Sequence, residues 1–137
     1  MHRDIHLQVD YPQPPESVWR VISESALVAR WLMDNDLQLV VGRDFQFRTA
    51  PQPGWNGIVD CTLVEAAAPR RLAYTWRGSW GESLVRFALT PNDDGGTRLT
   101  LDHTGFTGLR GVMLSLILGA GWKKKLTGPV ATIVAQL

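Results

Sequence analysis

The sequence predicts an α+β chain in which a curved antiparallel sheet of about seven strands wraps on one long C-terminal helix. Three observations carry that expectation. Apolar and polar residues alternate with period two in short runs between residues 3 and 104. The turns between those runs are too short for the crossovers that parallel neighbours need. A largely apolar segment of helical period then closes the chain from Leu109 to Leu137. That segment is too apolar to stand in water, and its natural partner is the dry face of the sheet. A sheet wrapped on a helix in this way can enclose a cavity.

The elements follow in order. Ile5, Leu7 and Val9 alternate with Asp4, His6, Gln8 and Asp10 in a first strand, which Pro12, Pro14 and Pro15 end. Pro15 suits a helix start, with Glu16 in the first turn where the dipole favours it. Val18, Trp19, Val21 and Ile22 give that short helix its apolar side up to Ser23, and Leu27, Val28, Trp31 and Leu32 mark a second over about 25–32. Leu37, Leu39 and Val41 predict a second strand reaching Gly42, and Phe45 and Phe47 a third. Pro51, Pro53 and Gly54 form a loop tipped by Trp55. Val59, Cys61 and Leu63, then Leu72, Tyr74 and Trp76, then Val85, Phe87 and Leu89 supply three more strands. Asn92-Asp-Asp-Gly-Gly96 is a glycine-rich hairpin turn leading to the last strand, where Leu99, Leu101 and His103 share one face and Arg98, Thr100 and Asp102 the other. The helical stripe continues through Val112, Met113, Leu116, Ile117, Leu126, Val130 and Ile133, with a break expected at Gly128-Pro129.

Bulk properties narrow the function classes. The 137 residues fit one domain, 1–137, with 45% hydrophobic and 20% charged residues, the balance of an ordinary globular protein. A net charge of +1 argues against a dedicated nucleic-acid surface. Cys61 is the only cysteine, so neither an intrachain disulfide nor a cysteine metal cluster is available, and a reducing, cytoplasmic setting is expected. The N-terminus lacks a signal-peptide run, and Val112 to Ala120 is far too short for stable membrane insertion. Six tryptophans are more than a core of this size needs as filler, which raises the prospect of an aromatic-lined pocket.

Several motifs carry a family resemblance. Pro15-Glu-Ser-Val-Trp19 resembles the opening of the first helix in the START-like (SRPBCC) superfamily, and Trp31 sits where that superfamily closes its second short helix. Pro69-Arg-Arg-Leu-Ala-Tyr-Thr-Trp76 is similar to its Pro-x-x-Leu-x-Tyr-x-Trp strand. Gly96-Thr-Arg-Leu-Thr-Leu-Asp-His-Thr-Gly-Phe106 with Gly121-Trp122 resembles the branch of activators of the ninety-kilodalton heat-shock chaperone ATPase. The resemblance implies a helix-grip fold with a hydrophobic pocket between sheet and C-terminal helix. Members bind lipids, sterols, polyketides and plant hormones, some cyclise or hydrate their ligands, and one branch assists the chaperone; the fold alone does not choose among these. The 137 residues show no second domain of the kind eukaryotic chaperone activators add, which places a chaperone partner behind a small molecule.

The expected function is binding of a small apolar or amphipathic molecule in that cavity, without cofactor or metal. The expected lining is Phe45, Phe47, Val59, Cys61, Tyr74, Trp76, Val85, Phe87, Leu101, His103, Met113, Leu116 and Ile117. Within it Tyr74 and His103 are the candidates for fixing ligand orientation. The alternatives are a cyclase- or hydratase-type enzyme using His103 as acid or base, and a co-chaperone-like interaction module. No catalytic set is assigned: there is no nucleophile elbow, Asp102 has the parity opposite to His103, and nothing near His103 in sequence would tune its pKa or hold its tautomer. Neither His2 nor His6 makes metal-ligand spacing with His103 or Cys61. Lys123-Lys-Lys125 holds every lysine of the chain; a patch for anionic headgroups is weighed there against a solvated helix face.

Overall fold

A computed structural model describes residues 1–137. The chain runs β1 (Ile5–Tyr11), α1 (Pro15–Ser23), α2 (Ser25–Trp31), β2 (Asp34–Asn35), β3 (Asp44–Arg48), β4 (Ile58–Ala67), β5 (Arg71–Gly78), β6 (Gly81–Pro91), β7 (Thr97–Thr104), α3 (Gly108–Thr127) and α4 (Pro129–Ala135). The seven strands form one antiparallel sheet in the order β1-β7-β6-β5-β4-β3-β2. Only the β1–β7 pair joins distant parts of the sequence, and α1 and α2 fill the connection that lets β1 reach it. The result is the α+β helix-grip architecture.

Side-chain parity decides which face is covered. Leu72, Tyr74, Trp76, Val85, Phe87, Leu99 and Leu101 are all buried, whereas Arg71 and Arg86 on the opposite parity are exposed and Thr75 is half-buried. A slip of one residue in any of these strands would reverse that assignment, so burial fixes the register. The pairing of β4 with β5 shifts between Leu63 and Glu65: Val64 is exposed, as Asp60 is, and parity changes after it, so that Ala66 opposite Leu72 packs against the core. This is a β-bulge, one extra residue that bends the strand and lets the sheet curl.

The helices complete the core. Trp31 of α2 donates its indole N–H to the Val21 carbonyl of α1 at 2.8 Å, locking the two short helices together. Tyr11, at the end of β1, donates its hydroxyl to the Leu126 carbonyl of α3 at 2.6 Å, and burial pushes its pKa up, so that link keeps its proton. The break between α3 and α4 falls where the proline requires it: Pro129 opens α4, and Gly128 N–H still bonds to Lys124 O. No helix is long and apolar enough to cross a membrane.

One predicted strand is absent. Residues 37–41 form no ladder, and β2 is the two-residue strand Asp34–Asn35 just before them. The cause is competition from short polar side chains. Asn35 Oδ1 accepts from the Leu37 N–H at 3.1 Å, and Asp36 Oδ1 accepts from the Gln46 N–H of β3 at 2.7 Å, occupying a donor that a longer β2 would have used. Leu37 is buried, while Leu39, Val40 and Val41 are exposed.

Candidate functional site

A groove of about 700 Å³ lies between α3 and the hairpin end of the sheet. Its helical wall is a single face of α3: Arg110, Met113, Leu114, Ile117, Leu118, Gly121, Trp122 and Lys125 recur at steps of three and four residues. Opposite stand Val59 of β4 and Trp76 of β5, with Ser79 and Trp80 at the tip of the β5–β6 hairpin. Leu32 and Met33 after α2, and Thr49, Gly54 and Trp55 of the loop between β3 and β4, close the remaining side. The lining holds no carboxylate, histidine or thiol.

Four of the six tryptophans reach this groove, and each is placed by a different device. Trp55 is pinned by its own loop, its indole N–H on the Ile58 carbonyl at 3.0 Å. Trp80 lies across Gly78: a Cβ on that glycine would sit 2.3 Å from the indole ring, so any other residue there would displace the tryptophan. Trp76 and Trp122 meet across the floor with ring centroids 5.6 Å apart. The indole N–H groups of Trp76 and Trp80 have no partner within the protein. Gly121 is equally informative. It sits inside a helix, where glycine costs about 1 kcal/mol relative to alanine, yet a Cβ there would meet nothing within 4 Å. A side chain at that position would project into the groove.

His103 lies beneath this floor, fully buried and outside the lining. Trp122 Nε1 donates to its Nδ1 at 3.1 Å; because an indole nitrogen can only donate, the imidazole proton is on Nε2. Nε2 then donates to Ser83 Oγ at 2.8 Å, and that hydroxyl donates to the Trp76 carbonyl at 3.1 Å. Every polar atom of this relay, from the Trp122 indole through His103 and Ser83 to the Trp76 carbonyl, is satisfied. Burial holds the His103 pKa down at about 3, so the ring is neutral across the physiological range. The expectation that nothing holds its tautomer is therefore corrected: Ser83 and Trp122 do so. A neutral ring with both nitrogens engaged has no free position from which to exchange a proton with a molecule in the groove.

The sequence of residues 12–127 matches the model of the family described as activator of Hsp90 ATPase homolog 1-like protein. The chain belongs to this family. Its fold recurs in solved structures with near-complete coverage. Protein MLL2253 from Mesorhizobium loti is 26% identical over 98% of this chain and 98% of its own, with a TM-score of 0.88. Protein BH1534 from Bacillus halodurans is 26% identical over 98% of this chain and 99% of its own, with a TM-score of 0.80. CalU16 from Micromonospora echinospora, 23% identical over 97% of this chain and 76% of its own at a TM-score of 0.78, shares the fold. A search of curated proteins finds no match to the sequence.

Within this activator-like fold, the residues predicted as lining divide into three sets. Val59, Trp76, Met113 and Ile117 come together on the groove. Phe45, Phe47, Cys61, Tyr74, Val85, Phe87, Leu101 and His103 lie in the packed core, where Phe45, Phe47 and Tyr74 interlock with centroids 5.3–5.7 Å apart. Leu116 is exposed on α3 outside the lining. Burial raises the Tyr74 and Cys61 pKa values, leaving both protonated. Parity correctly turns all the core residues inward, but parity gives a direction and not a depth. What sequence reasoning missed came mainly from α3 and from the hairpin tip. The stripe from Arg110 to Lys125 was readable as one helix face, and Ser79-Trp80 as a hairpin turn, but neither says which face the cavity adopts.

Proposed function

We propose that the groove binds a small apolar or amphipathic molecule and that this chain acts as a binding domain of the activator-like family. The observation that carries the reading is Gly121: an interior helical glycine facing open space in the lining of a groove walled by four tryptophans and by aliphatic side chains of α3. Met113 and Ile117 are more than half exposed on that wall, apolar surface that an occupant would remove from water. An enzymatic role of the cyclase or hydratase kind finds no histidine, carboxylate or thiol in the lining to serve it. A reducing, cytoplasmic setting accompanies this reading, supported by the lone buried Cys61.

The test uses the apolar dye Nile red, followed by quenching of tryptophan fluorescence. Gly121→Ala should fold at least as stably as the parent, because alanine is the better helix former and meets no neighbour. Gly121→Phe should also fold, and should weaken dye binding tenfold or more by filling the groove. Unchanged dye affinity in a folded Gly121→Phe protein would overturn the proposal.

A further inference from the structure

The charged side chains in the groove lining have one sign. Arg110 and Lys125 stand at the two ends of the α3 stripe, about 22 Å apart along the helix axis by the rise per residue. Neither makes an ion pair or a side-chain hydrogen bond, so neither charge is committed elsewhere in the protein. No acidic residue follows Asp102, and Asp102 itself is on the outer face of the sheet, 2.6 Å from His6. The uncharged polar side chains of the wall do not oppose that sign: the Thr49 and Ser79 hydroxyls can donate as well as accept. A ligand bringing a cation or several donors would find no carboxylate or side-chain amide to meet it; a ligand bringing an anion would find free cations at either end.

We infer that the occupant is an apolar acid: a planar or polycyclic body that lies against the indoles, carrying a carboxylate that pairs with Arg110 or Lys125. The inference rests on the proposed binding function and names the chemical class of the ligand. Charge-assisted pairing at the rim supplies the discrimination, and the apolar body supplies the bulk of the affinity.

Three probes with the same fused-ring body separate the terms: pyrenebutyrate, pyrenebutanol and pyrenebutylammonium, each titrated by energy transfer from the tryptophans. The expected order is acid, then alcohol, then ammonium, with the acid about tenfold tighter than the alcohol at low ionic strength and the gap shrinking as salt is added. In the double variant Arg110→Gln, Lys125→Gln the acid should fall to the affinity of the alcohol, and the alcohol should not change. Both positions are on the surface of α3, and a thermal melt verifies that the variant is folded. Equal affinity of acid and alcohol in the parent protein would overturn the inference while leaving groove binding intact. Failure of all three probes to bind would overturn both. Undiminished acid binding in folded Gly121→Phe would place the anion outside the groove and also overturn it.

Discussion

His103 shows what a single buried polar residue requires. An imidazole inside an apolar core is tolerable when both nitrogens have partners, and it prefers to remain neutral because ionisation would both desolvate a charge and turn its Nδ1 acceptor against the Trp122 N–H. The pH consequence has a definite sign. With the folded pKa depressed to about 3 from an ordinary 6.5, the unfolded chain binds the proton more readily between those values. The contribution of the residue to stability is complete above about pH 6.5 and declines as the pH falls toward 3, by up to about 1.4 kcal/mol per pH unit. Urea denaturation from pH 4 to 7 should show this slope in the parent, and His103→Gln, which cannot titrate, should flatten it while being less stable at pH 7 by about 1–3 kcal/mol. An equal slope in both proteins would place the titration elsewhere. Sequence alternation gave the inward direction of His103, but its partners are 19 and 20 residues away, and only the folded sheet and α3 bring them within reach.

At the scale of elements, the strands and helices predicted from period and turn chemistry are those observed, except between Asp36 and Arg43. There the alternation of Leu37, Leu39 and Val41 was a true pattern with the wrong consequence, because Asn35 and Asp36 offer the backbone a cheaper set of hydrogen bonds. Asp36→Ala should therefore lower stability by about 1 kcal/mol, and Asp36→Asn, which keeps the acceptor oxygen, by less. Equal losses in urea titrations of the two variants would mean that charge, through the long 3.9 Å approach to Arg48, outweighs the bond to Gln46. The Gly128-Pro129 break was legible because proline leaves little choice. The bulge at Val64 was not, since no residue type there demands one; the groove was hidden for a similar reason, as it depends on how far α3 stands from the sheet.

The whole molecule is unevenly held. Trp122 and Leu126 of α3 are buried, Tyr11 bonds to the Leu126 carbonyl, and α4 adds Val130, Ile133 and Val134 to the same core. In the first three turns and more of α3, from Gly108 to Gly121, Ser115 is the only buried residue, and it bonds within its own helix to Val112. Segments with so few buried contacts open at lower free energy than the rest of a fold. Amide hydrogen exchange should accordingly be faster over residues 110–120 than over 122–134, and saturation of the groove should slow the former with little effect on the latter; uniform protection along α3 would contradict this. The wall of the proposed site is thus also the stretch of α3 with the fewest buried side chains. Affinity in such a groove includes the cost of quieting that wall, so that the first half of α3 can set how tightly a molecule is held without any change in the atoms that touch it.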